Sequence, residues 1–458
     1  MPDKIRITRD ELFSPRIDDI VAEQQALLRP MGEFGPTSLW RRIVFNSLFF
    51  LSVAGLIGGI AGWAVLEPLF NESIVVWGKI EYVKEAEWPG LRPTAQTVIA
   101  VRGVQLHLDS QATRIEGRGE YAEVNGVGKL KTGQPVRVQA FVADADNRIL
   151  FAERVSVRAI PPGRDQEPLP NLDDASALQL VSRLLAFAIV GACIAGCVAA
   201  ADGVMSRNLR RGFLCCITGI GIAAAGGLVG LIPAGLVFGL AQVIVQGLAG
   251  DGMWTSATLT GWPFMALVIG RSLAWGVFGL SVGLGHGVAL RSKKLVINGL
   301  LGGLLGALLG GMCFEPIIKL FANTDLGGQA LMSRAFGFGI IGVAAGFMIG
   351  LVEHLSKDAW LLMRAGPLAG KQFVIYKSPT ALGSSPKCEV YLFKDPAVEP
   401  RHALIRKVGN RHEIEDLSTP AGTIVNGKKA RRQPLKDGDQ IVLGQTVLEY
   451  AERSRGAS

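Results

Sequence analysis

The sequence predicts a multi-domain membrane protein: a six-helix α-helical transmembrane bundle of three repeated hairpins, a small external β-rich module, and an all-β sandwich near the C-terminal end. Three observations carry that reading. Apolar residues fill 49% of the 458 positions and charged residues 19%, with a mean hydropathy of +0.33, a balance typical of membrane chains. Apolar blocks of about 20 residues or more, enough to cross a hydrocarbon core of ~30 Å, alternate with short basic clusters. Two stretches, 71–178 and 365–451, depart from this pattern with period-2 alternation and turn residues.

Residues 1–42 read as a polar cytoplasmic arm and not as a cleavable leader, because the first apolar run starts only at Ile43. The expected spans are 43–67, 180–202, 212–240, 264–289, 295–316 and 331–355. Arg41 and Arg42 precede the first span; Arg207, Arg210 and Arg211 join the second to the third; Arg291, Lys293 and Lys294 join the fourth to the fifth. The positive-inside bias places all three clusters, and with them both termini, in the cytoplasm of a bacterial-type inner membrane. The external loop from Gly247 to Trp262 has no Lys or Arg. The third apolar block runs on to Ala249, too long for one span, and is expected to break at Pro233 or Gly235 and continue along the interface.

Three spans align with one another. Arg183-Leu-Leu-Ala-Phe-Ala-Ile-Val-Gly191, Arg271-Ser-Leu-Ala-Trp-Gly-Val-Phe-Gly279 and Arg334-Ala-Phe-Gly-Phe-Gly-Ile-Ile-Gly342 share their pattern, with a further small residue at Ala195, Gly283 and Gly346. The first and fifth spans are also alike, each glycine-rich and ending in Glu-Pro at Glu67 and Glu315. The pattern is that of a helical hairpin repeated three times, whose small residues let helix backbones meet closely in lipid. The five charges fall at span ends on the external side, where Arg183–Glu67 and Arg334–Glu315 are expected to pair within hairpins and Arg271 to lie at the interface. Glycine-rich repeats also occur in transporters, so conduction is the rival reading, but no charged residue stands at mid-span.

The 71–178 segment is expected to be an external β-sandwich-like module. Its runs SIVVWGKIEYV and TVIAVRGVQLHL alternate, and PVRVQAFV and ILFAERVSVRAI form a hairpin about a polar turn. Cys193 and Cys197 sit at helical spacing without a nearby histidine, and the five histidines are scattered. Neither a metal site, a cofactor nor a catalytic constellation is expected. The formal charge of +8 resides largely beside the spans, so bilayer orientation accounts for it without nucleic acid.

In the tail, KQFVIYK, CEVYLF, ALIRKV, HEIEDL, GTIV, QIVLG and TVLEYA are short strands split by Gly, Pro, Asp and Asn. Leu382-Gly383-Ser384, Val398-Glu399-Pro400-Arg401-His402-Ala403, Asp416 to Gly427 and Leu435 to Gly444 together resemble a forkhead-associated (FHA) domain. The resemblance implies a sandwich that reads phosphothreonine peptides with the loops at one end. It also implies Arg after Gly383, Ser at the first loop position and Asn before Gly422, where this sequence has Ser384, Glu399 and Ala421. Gly383, His402, Gly422, Thr423 and Asn426 match and are assigned mainly to loop shape. A carboxylate at 399 would repel a phosphate, and Arg401, Lys387 and Arg406 are the positive charges nearby. The expectation is a non-enzymatic, membrane-anchored adaptor whose tail binds a cytoplasmic protein or peptide without the usual phosphothreonine contacts. Its partners are that protein or peptide, in phosphorylated form on the second reading of an altered phosphopeptide specificity, together with the bilayer and, in a homo-oligomer, further copies of the chain.

Overall fold

The computed structural model describes residues 45–67, 74–87, 95–108, 113–144, 149–169, 171–249, 259–322, 329–409 and 411–453. The N-terminal arm, most of the 247–262 loop and residues 145–148 of the expected hairpin turn lie outside the described residues.

Six long helices make the bundle: α1 (Ser47–Leu66), α2 (Leu172–Met205), α3 (Leu209–Ala249), α4 (Gly261–Ala289), α5 (Lys293–Ala322) and α6 (Gln329–Ser356). Each contains a segment long and apolar enough to cross a membrane. Asn46 caps α1, its side chain accepting from the Leu48 N–H. The expected break in α3 does not occur. The helix runs unbroken for 41 residues, about 60 Å at 1.5 Å per residue, with Pro233 inside it. Pro233 removes one backbone bond, but Gly230 and Ala234 beside it are buried, Gly230 against Val277 and Phe278 of α4. Packing carries the helix through the proline.

The helices close into a ring in chain order, each against the next and α6 back against α1. α2, α4 and α6, which carry the arginines, lie toward the inside, and α2 also meets α4. Small residues permit the close approach: at Gly55 a Cβ would run into the carbonyl of Gly342, and at Gly283 into that of Gly299.

The expected charge pairs are not the observed ones. Arg334 pairs with Glu67, through Nη2–Oε1 at 2.5 Å and Nε–Oε2 at 3.1 Å, and Arg271 Nε stands 2.5 Å from Glu315 Oε1. Ring closure explains the change, because each of these arginine helices rests on the glycine face of the helix that follows it, α4 on α5 and α6 on α1. The Arg271 contact is a charge contact outside good hydrogen-bond geometry, and Glu315 is fully buried. Arg183 lies on α2, with its side chain outside the described residues. The fifth residue of each aligned motif is aromatic, and these rings meet inside the bundle: Trp275 is 4.6 Å from Phe187 and 5.9 Å from Phe338, centroid to centroid.

Between α1 and α2 the chain forms β1 (Ile74–Glu87), β2 (Ala95–Val101), β3 (Val104–Leu108), β4 (Arg114–Gly117), β5 (Pro135–Asp144) and β6 (Ile149–Val157). The β5–β6 hairpin is as expected, but the module is a barrel instead of a sandwich. β1 is long enough to serve both sides, pairing β5 through Ile74–Lys79 and β2 through Ile80–Glu87, with an irregularity at Ile80/Tyr82. A parallel pairing of β3 with β6 then closes the sheet, leaving β4 as an added strand on β6. This five-stranded Greek-key closure has the form of an OB-type barrel. Its core holds Val76, Ile99, Leu106, Val138 and Val155, with Leu172 of α2 packed against it.

The tail is the expected two-sheet sandwich. One sheet runs β10 (Val390–Tyr391), β9 (Thr380–Gly383), β11 (Ala403–Val408), β12 (Arg411–Asp416), β15 (Arg432–Pro434); the other runs β14 (Lys428–Lys429), β13 (Thr423–Val425), β16 (Gln440–Leu443), β17 (Thr446–Glu452), β7 (Ala359–Ala365), β8 (Gln372–Val374). β7 lies ahead of the expected start at 365 and pairs with β17, only two residues beyond the end of α6.

Candidate functional site

The loops between β9 and β10, β10 and β11, and β12 and β13 gather at one end of the sandwich. Their organiser is His402, 0% exposed. The Glu399 N–H donates to His402 Nδ1 at 3.2 Å, so the ring carries its proton on Nε2, which faces the Gly422 carbonyl at 3.1 Å and Thr419 Oγ1 at 3.0 Å. Thr419 Oγ1 and Thr423 Oγ1 both donate to Asp416 Oδ1, at 3.0 and 2.8 Å, and the Thr419 N–H donates to Oδ2 at 3.1 Å. One imidazole and one carboxylate thus tie two loops together through direct hydrogen bonds.

Gly383 is buried, and only glycine fits there because any Cβ would strike the Pro400 carbonyl. The Ser384 N–H donates to the Glu399 carbonyl at 2.9 Å and the Ser385 N–H to the Pro400 carbonyl at 3.2 Å, which locks the first two loops. Asn426 has φ +49° and heads the Asn-Gly turn from β13 to β14; its side chain bonds Asp439 and the Gln440 N–H. It shapes the turn. Glu399 and Arg401 are exposed at the loop tips, while Ser384, Ala421 and Gly422 are half-buried. Arg406 is drawn to Glu415 at 3.0 Å and is no part of the loop end.

A second feature, invisible in the sequence, joins the sandwich to the bundle. Lys371, 1% exposed, inserts from the β7–β8 turn between the helices; its Nζ donates to Ser206 Oγ and lies 3.6 Å from Asp202 Oδ1. Arg211 holds the other Asp202 oxygen at 3.1 Å, and its Nη1 donates to the Glu389 carbonyl. Asn208 donates to the Pro386 carbonyl at 2.7 Å, and Lys294 pairs with Asp358 at 2.8 Å. The loop carrying Ser384 is therefore gripped from behind by the α2–α3 connection. Beside these contacts lies a cavity of about 570 Å³, lined by Phe45, Phe50, Leu295, Phe373, Tyr376 and Lys377 among others. Burial, then the charges of Glu353 and Asp202, raises the Tyr376 phenol. Among the described residues no group of three His, Cys, Asp or Glu is arranged for a metal.

A two-sheet sandwich whose loops gather around a buried histidine at one end defines a module of the forkhead-associated class. The FHA domain profile matches residues 380–444, and through them the chain belongs to the FHA family. Curated relatives include an oxoglutarate dehydrogenase inhibitor of Corynebacterium jeikeium, 34% identical over 107 residues that cover 23% of this chain and 74% of that one. The glycogen accumulation regulator GarA of Mycolicibacterium smegmatis is 32% identical over 100 residues, covering 22% of this chain and 63% of GarA. Among solved structures, the FHA domain of the CT664 protein from Chlamydia trachomatis is 26% identical, covering 21% of this chain and all of that one, with a TM-score of 0.20. Each of the three similarities covers less than a quarter of this chain, and the FHA match at residues 380–444 makes the tail a protein-binding module.

Proposed function

We propose that this chain is a membrane-anchored, non-catalytic adaptor that presents its FHA domain at the cytoplasmic face and recruits a protein through the loops around Ser384, Glu399 and Ala421. The basic connections at Arg207–Arg211 and Arg291–Lys294 stand at the same end of the bundle as the sandwich, since Arg211 contacts it and Lys294 pairs with Asp358 of the join that leads into it. That agrees with a cytoplasmic tail, an external barrel and three hairpin repeats.

One observation carries the reading of the site. The His402–Thr419–Asp416 scaffold is intact, while the three positions that would meet a phosphate hold a short hydroxyl, a carboxylate and a methyl group. A phosphate near −2 requires charge-assisted donors, and Glu399 opposes it. Recognition therefore depends on loop shape and peptide side chains more than on phosphate. The test is titration of the full chain in nanodiscs with matched phosphothreonine and threonine peptides. Less than about tenfold preference for phosphate, about 1.4 kcal/mol, is expected, and S384R/E399S/A421N should raise it. A wild-type preference of about 100-fold or more, about 2.7 kcal/mol, would refute the phosphate-independent reading.

The rival conduction reading is disfavoured by the aromatic packing of Phe187, Trp275 and Phe338, which fills the inside of the ring. Solute flux in proteoliposomes would overturn that preference.

A further inference from the structure

The external barrel carries a face that adaptor function leaves unexplained. Strand register sets residues on its outer side in rows: Gln139 opposite Arg154 and Arg154 opposite Arg114; Trp77 opposite Arg137, Arg137 opposite Ser156 and Ser156 opposite Glu116. Directly opposed residues share a face. The next row adds Arg158, whose N–H donates to the Pro135 carbonyl, and Arg118, whose N–H donates to the Val157 carbonyl. Five guanidiniums therefore crowd onto one side of β5, β6 and β4. Trp77, 7% exposed, is their platform, with the Arg158 guanidinium 4.6 Å and the Arg137 guanidinium 5.8 Å from its ring centre.

Around Trp77 the face is poorly neutralised among the described residues. Glu116 is its one acidic member in these rows and reaches only Arg118, at 3.7 Å. Among the described residues no carboxylate pairs with Arg137, Arg154 or Arg158, and Arg158 Nε is buried without a hydrogen-bond partner. Burial first, then the like charges of Arg158, Arg154 and Arg118, lowers the affinity of Arg137 for its proton. Such crowding stores repulsion that an anion would relieve.

We propose that this face docks an acidic, extended protein segment. The strand geometry selects an extended polypeptide. The arginines repeat four residues apart along the strands, at 114 and 118 on the β4 line and 154 and 158 on the β6 line, and carboxylates four residues apart on an extended chain, ~13 Å, match that repeat. β4 bonds only β6 among the described strands, which leaves its other edge free for such a chain.

The test uses the full chain in phosphatidylcholine nanodiscs and a fluorescent twelve-residue peptide of alternating Glu and Ser, with a Lys-Ser peptide as control. Saturable binding of the acidic peptide alone is expected, weakening as salt rises. R137E/R154E should weaken it at least about tenfold and R137K/R154K by no more than about threefold, with the bundle's melting unchanged. Should the double reversal fail to fold, Arg154→Gln is the second variant, expected to cost about threefold. Absence of saturable binding, or indifference to these substitutions, would overturn the proposal. So would stronger capture by phosphatidylglycerol vesicles than by the peptide.

Discussion

Replacing Lys371 with methionine tests whether the sandwich is docked on the bundle by a buried charge. Methionine keeps most of the aliphatic stem and its packing. What is lost is the attraction to Asp202 at 3.6 Å, about 5 kcal/mol at an effective dielectric of 20, and the charged hydrogen bond to Ser206, about 2 kcal/mol. What is regained is the desolvation of the ammonium, several kcal/mol and large enough to hold the proton affinity of Lys371 below the usual lysine value, while Asp202 keeps Arg211 at 3.1 Å but turns its other oxygen toward an uncharged thioether. The difference is about 2 kcal/mol, or about 30-fold in the ratio of docked to undocked sandwich. Amide hydrogen exchange reads it directly: the segment from Pro386 to Glu389, held by Asn208 and Arg211, should exchange about 30-fold faster while the sandwich core stays protected. Combining K371M with D202N should add little to either change alone. Unchanged exchange in K371M, or strictly additive effects in the double variant, would refute the argument.

Two further outcomes follow from the same coordinates. Burial, with Lys407, holds the His412 imidazole below its usual pKa, and its Nδ1 lies 2.8 Å from the Tyr450 hydroxyl. The unfolded chain therefore takes up a proton first, so the sandwich should lose stability as pH falls from 6.5 through the depressed value, and His412→Gln should flatten that dependence in urea titrations. Gly342→Ala should destabilise the bundle by about 1–3 kcal/mol, because its Cβ meets the Gly55 carbonyl, whereas Gly221→Ala, with open space around it, should stabilise by up to about 1 kcal/mol; melting of both variants in detergent checks the contrast.

The sequence made legible what depends on local composition. Span positions follow from apolar runs, and the sandwich loops follow from motifs in which each glycine and His402 has a fixed place. What escaped were relations between distant segments. Glu67 was assigned to the neighbouring hairpin helix, because nothing local says that a ring will bring α6 back to α1. Alternation in β1 told which residues face inward but not that one strand would bend at Ile80/Tyr82 and serve two sides of a barrel. Pro233 signalled a break that burial of Gly230 and Ala234 outweighs. β7 was hidden by its position two residues after α6, and Lys371 looked like any lysine near a turn, since its burial comes from a surface on another part of the chain.

The two-residue join between α6 and β7 removes the slack that a recruiting module usually has. With Lys371 seated, a captured partner is held like a tool in a chuck instead of a float on a line. Its orientation is inherited from α6, and a small turn of that helix about its own axis would swing the recognition loops, and whatever they grip, through an arc around the end of the bundle.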